Sequence, residues 1–174
     1  MKFYLSGGME YKRNLGKRWR EWLTEKLQEL NHDAVDPVKL ESPDENGDPI
    51  QDKLTQLKLQ GKLDEVRKIV RRSLFPKDMR GIQLSDAIVV LYDVSAQHGA
   101  GTISEGWESF REGRPIYIVT DFPLEKIPTW LIGESTAIFE DFDQLLDYVA
   151  DHSRVVNDVI DARRIRDEVL GGIY

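Results

Sequence analysis

The run Gly99-Ala100-Gly101-Thr102-Ile103-Ser104-Glu105-Gly106-Trp107-Glu108 places a carboxylate one turn into an expected helix, behind a glycine-rich loop. Glycines let backbone approach a ligand closely, and a helix N-terminus favours anions such as phosphate or carboxylate. Glu105 has two readings. Within Thr102-Ile103-Ser104-Glu105 it fits a capping box, where Thr102 caps the helix and Glu105 reaches back to the cap amide. Turned toward a ligand, it is a nucleophile.

The elements that would position Glu105 are legible on either side of it. Asp86-Ala87-Ile88-Val89-Val90-Leu91-Tyr92-Asp93 reads as a buried strand and Arg114-Pro115-Ile116-Tyr117-Ile118-Val119-Thr120 as the next. Upstream, Phe3-Tyr4-Leu5 runs into Ser6-Gly7-Gly8. Leu15, Trp19, Trp22, Leu23, Leu27 and Leu30 then recur at helical steps, and Ala34-Val35-Asp36-Pro37 reads as a short strand stopped by proline. Residues 41–49 are polar and turn-forming, which predicts a mobile loop. A helical pattern follows from Ile50 to Leu74 with a break at Gly61, then a short helix over Met79–Ser85. A strand at Thr136–Phe139 and helical segments from Asp141 to Leu170 complete the chain.

Strands alternating with helices predict an α/β fold, a flavodoxin-like or Rossmann-like three-layer sandwich with a mostly parallel sheet of about five strands. Both glycine loops then lie at the C-terminal edge of the sheet, and the topological switch point is where they meet. Asp93, at that edge of the central strand, points into the region where ligands bind; His98, beside Gly99, is a candidate acid or base, or an exposed loop histidine.

Composition narrows the classes. The 174 residues fit one domain, with a C-terminal helical extension at about 153–174. A net charge of −7 argues against a nucleic-acid polymer as partner. With no cysteine and three scattered histidines there is no metal-ligand spacing, and no Gly-x-Gly-x-x-Gly follows a strand, so no metal or other cofactor is expected. No apolar run reaches a membrane span or a signal peptide, so a soluble, cytoplasmic protein with no membrane partner is expected. The cations Lys17, Arg18 and Arg20, with Lys12 and Arg13, read as the solvated face of the first helix, and Lys68, Arg71 and Arg72 as that of another.

Three ordered patches carry a resemblance. Tyr4-Leu5-Ser6-Gly7-Gly8, Asp78 with Ser85-Asp86-Ala87-Ile88-Val89-Val90, and Gly101-Thr102 through Glu105 followed by Arg114-Pro115-Ile116 resemble the nucleoside 2-deoxyribosyltransferase family and its relatives that hydrolyse the N-glycosidic bond of nucleoside monophosphates. The resemblance implies a small-molecule nucleoside or nucleotide substrate, a homo-oligomer, and Glu105 as the glycosyl nucleophile. It implies Tyr4 as its hydroxyl partner and Asp78 as a contact to the departing base. Ser6, Gly7, Gly8, Gly99, Gly101 and Thr102 fall in the substrate-binding loops. The residues leave alternatives open: Tyr4 as a core aromatic, and Asp78 as the cap of a helix starting at Met79.

The pattern departs at Gly99, where these transferases often carry aspartate six residues before the nucleophile. Ser6-Gly7-Gly8 with Lys12 and Arg13 resembles the 5′-phosphate pocket of the monophosphate hydrolases. In the transferases the chain's end reaches a neighbouring pocket, a role that would fall to Tyr174. Alternatively, Val155, Val156, Val159, Ile160, Ile165 and Val169 form a subunit interface or pack on the chain's own core. Two rival functions stand beside this reading. One is a phosphoribohydrolase of the cytokinin-activating type, whose motif the chain matches except for the leading Pro-Gly-Gly. The other is a nucleotide-binding sensor without turnover.

Overall fold

The computed structural model describes residues 1–10, 13–40 and 49–171. Lys12, residues 41–48 of the predicted loop at 41–49, and Tyr174 lie outside the described residues. Five strands, β1 (Lys2–Gly7), β2 (Asp33–Val35), β3 (Ala87–Leu91), β4 (Ile116–Val119) and β5 (Ala137–Phe139), form one parallel sheet in the order β2-β1-β3-β4-β5. This is the expected α/β architecture. Around the sheet lie α1 (Lys17–Glu29), α2 (Pro37–Leu40), α3 (Ile50–Leu59), α4 (Leu63–Ile69), α5 (Phe75–Gln83), α6 (Val94–His98), α7 (Gly101–Arg111), α8 (Thr129–Glu134), α9 (Phe142–Val149) and α10 (His152–Leu170).

The two-residue period of the strands splits the core into two halves. Phe3, Leu5, Val89, Tyr117 and Val119 face Leu23 and Leu27 of α1, Leu145 and Val149 of α9, and Val155 of α10. Tyr4, Ile88, Val90, Ile116 and Ile118 face Ile82 of α5, Ala96 of α6 and Leu131 of α8. Since β3 is covered on both faces, Ala87, Ile88, Val89 and Val90 are all buried, which explains their unbroken apolar run.

The break at Gly61 is present, and Gly61 adopts a left-handed φ of 70°. The expected helix start at Met79 is not. The chain stays helical through Val70–Leu74, a π-helical turn in which Phe75 N–H reaches Val70 O, and on into α5 with Pro76 in its first turn. A wider turn accommodates proline, which lacks an N–H and crowds the preceding turn, without ending the helix.

The reading of Arg20 as a solvated cation is also overturned. Its side chain is fully buried, because it precedes Leu23 and Leu27 by three and seven residues and so shares their inward face.

Helix α10 packs on the chain's own core. Val155 is buried, whereas Val156, Ile160, Ile165 and Val169 remain exposed. One turn after Val155, Asp158 accepts hydrogen bonds from Tyr117 OH at 2.7 Å and Tyr148 OH at 3.0 Å. Burial and the Asp158 carboxylate raise both phenols, Tyr148 to about 12, so both remain donors. Asp158→Ala strands two hydroxyls, one on a fully buried ring. It is expected to cost about 2 kcal/mol in urea unfolding and to speed amide exchange in α10 relative to the sheet.

Candidate active site

The site forms at the C-terminal edge of β1 and β3, where the strand order switches direction. Alternation along β1 puts Tyr4 and Ser6 on one face, toward α5 and α7. Helix α5 comes close because residue 81 is glycine: a Cβ there would lie 2.7 Å from the Tyr4 ring. One turn earlier on α5, Asp78 reaches the same hydroxyl. The β1 loop and the start of α6 meet as tightly, since a Cβ on Gly8 would lie 2.6 Å from the Ser95 carbonyl carbon.

Tyr4 and Ser6 of β1 converge on Glu105 of α7, and Asp78 of α5 joins them through the Tyr4 hydroxyl. Tyr4 OH lies 3.0 Å from Glu105 Oε1 and 3.3 Å from Asp78 Oδ1, and Ser6 Oγ donates to Glu105 Oε2. Burial pushes the Glu105 carboxyl from 4.5 up to about 7, and the Asp78 charge adds to it; Ser6, Tyr4 and Arg20 act in the opposite direction. Burial and then the two carboxylates hold Tyr4 well above the usual phenol range, so it stays a proton donor.

The capping box does not form. Helix α7 begins at Gly101 with Ala100 at the cap position and no side-chain cap. Thr102 is already inside the helix and buried, so it cannot act as a cap, and Glu105 points to β1 instead.

Beneath these groups opens a cavity of about 340 Å³, within the size range of small-molecule sites. Gly7, Gly8, Gly99, Gly101, Thr102, Asp78 and Glu105 line it, as the sequence suggested they could. Ser95 joins them, and the far wall is apolar, from Leu54 on α3, Val66 on α4, Val70 and Leu74 on the π-helical turn, and Phe75 on α5. At the rim, Lys58 of α3 pairs with Glu10 of the β1 loop. Sequence reasoning missed this wall because the helical pattern over 50–74 carries no sign of which sheet edge it covers.

Asp93 is placed differently from expectation. Its Oδ1 caps α6, accepting from Ser95 N–H at 3.0 Å, Ala96 N–H at 3.2 Å and Ser95 Oγ at 2.5 Å, and Asp93 is not part of the cavity lining. An aspartate before a short helix satisfies exposed amides, which is the stronger local demand. His98 is exposed, with Nδ1 2.7 Å from Val94 O. Among the described residues no cluster of His, Asp or Glu could hold a metal ion, and no helix is long and apolar enough to cross a membrane.

No protein-family model matches the sequence, and no curated protein matches it. Among solved structures, the fold is similar to that of a 2-deoxyribosyltransferase from Bacillus psychrosaccharolyticus, with TM-score 0.59 and 20% identity over 85% of this chain and 92% of that one. A Clostridium botulinum CMP N-glycosidase aligns with TM-score 0.48 and 15% identity, over 86% of this chain and 97% of that one.

The raised Glu105 carboxyl makes stability pH-dependent. Between about 4.5 and 7 the folded protein keeps a proton that the unfolded chain has lost, so this contribution is full below about 4.5 and vanishes as pH rises through about 7. Glu105→Gln removes it, while Glu134, the other buried carboxyl raised to about 7, acts equally in both proteins. Denaturant titrations at several pH values are expected to show the variant gaining stability relative to wild type as pH rises across that window. Parallel curves would refute the raised Glu105 carboxyl.

Proposed function

We propose that the protein cleaves or transfers at the N-glycosidic bond of a nucleoside or 2-deoxynucleoside, or of its 5′-monophosphate, with Glu105 as nucleophile. The observation that carries this reading is the pair of carboxyls at the cavity floor, Glu105 and Asp78, joined through one tyrosine hydroxyl. The fold shared with a 2-deoxyribosyltransferase supports it.

Breaking a sugar-to-base bond builds positive charge at C1′ and negative charge on the leaving nitrogen. Glu105, ionised, attacks C1′ from one face. The C1′–N bond breaks, its electron pair leaves with the base, and a proton relayed from water by Asp78 neutralises it. The resulting glycosyl ester is opened at C1′ by water, which gives hydrolysis, or by the nitrogen of a second base, which gives transfer. Asp78 takes up the proton released in that step.

The environment suits these roles. Hydrogen bonds from Ser6 and Tyr4 hold the two Glu105 oxygens, which fixes the attacking lone pair. Burial raises the energy of the carboxylate in the empty site, and the cationic carbon of the transition state relieves that cost. The glycine loops after β1 and between α6 and α7 leave room for the sugar beside the carboxylate.

Incubation with nucleosides, 2-deoxynucleosides and their 5′-monophosphates, with and without a second base, is expected to release free base by chromatography. Glu105→Gln is expected to lower release by about 10³-fold or more while the protein stays folded. A folded variant that matches wild type would refute the role of Glu105. In wild type, kcat/KM is expected to rise with pH through about 7, the range to which the carboxyl is pushed. New nucleoside formed only when acceptor base is present marks a transferase.

A further inference from the structure

The end of β1 that carries Ser6 and the glycine loop lacks a strand on one side. Asp33 N–H reaches Met1 O, and β2 pairs with β1 only as far as Tyr4. Advancing both strands four residues brings residue 37 to Leu5 O, and residue 37 is proline, which has no N–H to give. Leu5 O and Gly7 O, the carbonyls on either side of Ser6, therefore need another donor.

Arg20 is that donor. From α1 its guanidinium gives Nε to Leu5 O at 3.0 Å, Nη2 to Gly7 O at 2.8 Å and Nη1 to Leu15 O at 2.7 Å. Asp36 Oδ1 lies 3.8 Å from Nε and also accepts Val38 N–H at 3.0 Å. The whole arrangement is buried: Arg20 is 0% and Asp36 5% exposed. Buried charge at a strand end is costly, and backbone pairing alone could be met by a neutral side chain.

Resting on the reading of Glu105 as nucleophile, we propose that Arg20 is a positioning residue for it. By clamping the carbonyls on both sides of Ser6, Arg20 sets the direction of the Ser6 hydroxyl, which in turn holds Glu105 Oε2. Its fixed positive charge behind β1 favours the ionised nucleophile over the protonated one. Arg20 is not part of the cavity lining, so it governs rate through Glu105 rather than binding. The raised carboxyl of Glu105 is consistent with this, since Arg20 is the cation that draws it back down.

The test uses Arg20→Gln, which keeps donors and removes charge, and Arg20→Lys, which keeps charge and removes the planar fork. The titration midpoint of the Glu105 carboxyl is read directly by 13C NMR of glutamate-labelled protein, assigned with Glu105→Gln. In Arg20→Gln the midpoint is expected to rise by about half to one unit, and the acid limb of kcat/KM to rise with it. In Arg20→Lys the midpoint stays within about 0.3 unit of wild type, whereas kcat falls about 10-fold or more with KM changed less than about 3-fold.

A wild-type midpoint in folded Arg20→Gln would overturn the electrostatic role, and wild-type kcat in Arg20→Lys would overturn the positioning role. If Arg20→Gln does not fold, Arg20→Lys decides the proposal by its kcat against KM. Should wild type release no base from any nucleoside, the proposed function fails, and the NMR midpoint still decides whether Arg20 holds Glu105 ionised.

Discussion

Tyr4 OH has one proton and two carboxylates within reach, Glu105 at 3.0 Å and Asp78 at 3.3 Å. It satisfies one fully at a time, and the other must take a second donor or hold a proton of its own. Ser6 supplies that second donor to Glu105. These groups come from β1, α5 and α7, and their hydrogen bonds span 74 to 101 residues along the chain. The parallel sheet and its crossovers are what bring them to one point, and the glycine at position 81 sets how closely α5 can approach. A site that joins two carboxyls through one hydroxyl ties the ionisation of each to the other, which is the property an acid and a nucleophile sharing one reaction need.

The opposite side of β1 answers a different demand. Strand β2 is three residues long and followed by proline, so the last carbonyls of β1 would be left without donors in a buried place. Arg20 fills that need from α1, and Asp36 stands beside its charge. Backbone satisfaction and site electrostatics thus meet in one residue. The pairing of Lys58 with Glu10 at the cavity rim is of another kind, half-exposed and screened by water, and shapes the opening more than it stabilises the fold.

Much of the fold was legible because its signals are local. The apolar run at Ala87–Val90, the helical steps of Leu23 and Leu27, and the glycine turns after β1 and before α7 each depend on residues a few positions apart. The ligand-facing reading of Asp93 and the capping-box reading of Thr102 differ from the structure for the same reason. Whether an aspartate or threonine caps a helix depends on where the helix starts, and a shift of one or two residues reverses the role. Helix α7 starts at Gly101, so the four-residue capping pattern is present in sequence and absent in structure. Pro76 gave a false boundary because a π-helical turn absorbs what an α-helical one would not.

The amino-acid order by itself determined the alternation of strands and helices, the parallel sheet, and the pair of glycine loops with Glu105 one turn behind the second. These follow from periodicity and turn chemistry, which act over a few residues. The tertiary structure alone decided that Glu105 bonds to Tyr4 and Ser6 rather than to its own helix start, that Asp78 shares the Tyr4 hydroxyl, and that Arg20 donates to the Leu5 and Gly7 carbonyls. A carboxylate's protonation and partners depend on what burial removes and what distant elements bring near, and neither is encoded in the residues beside it.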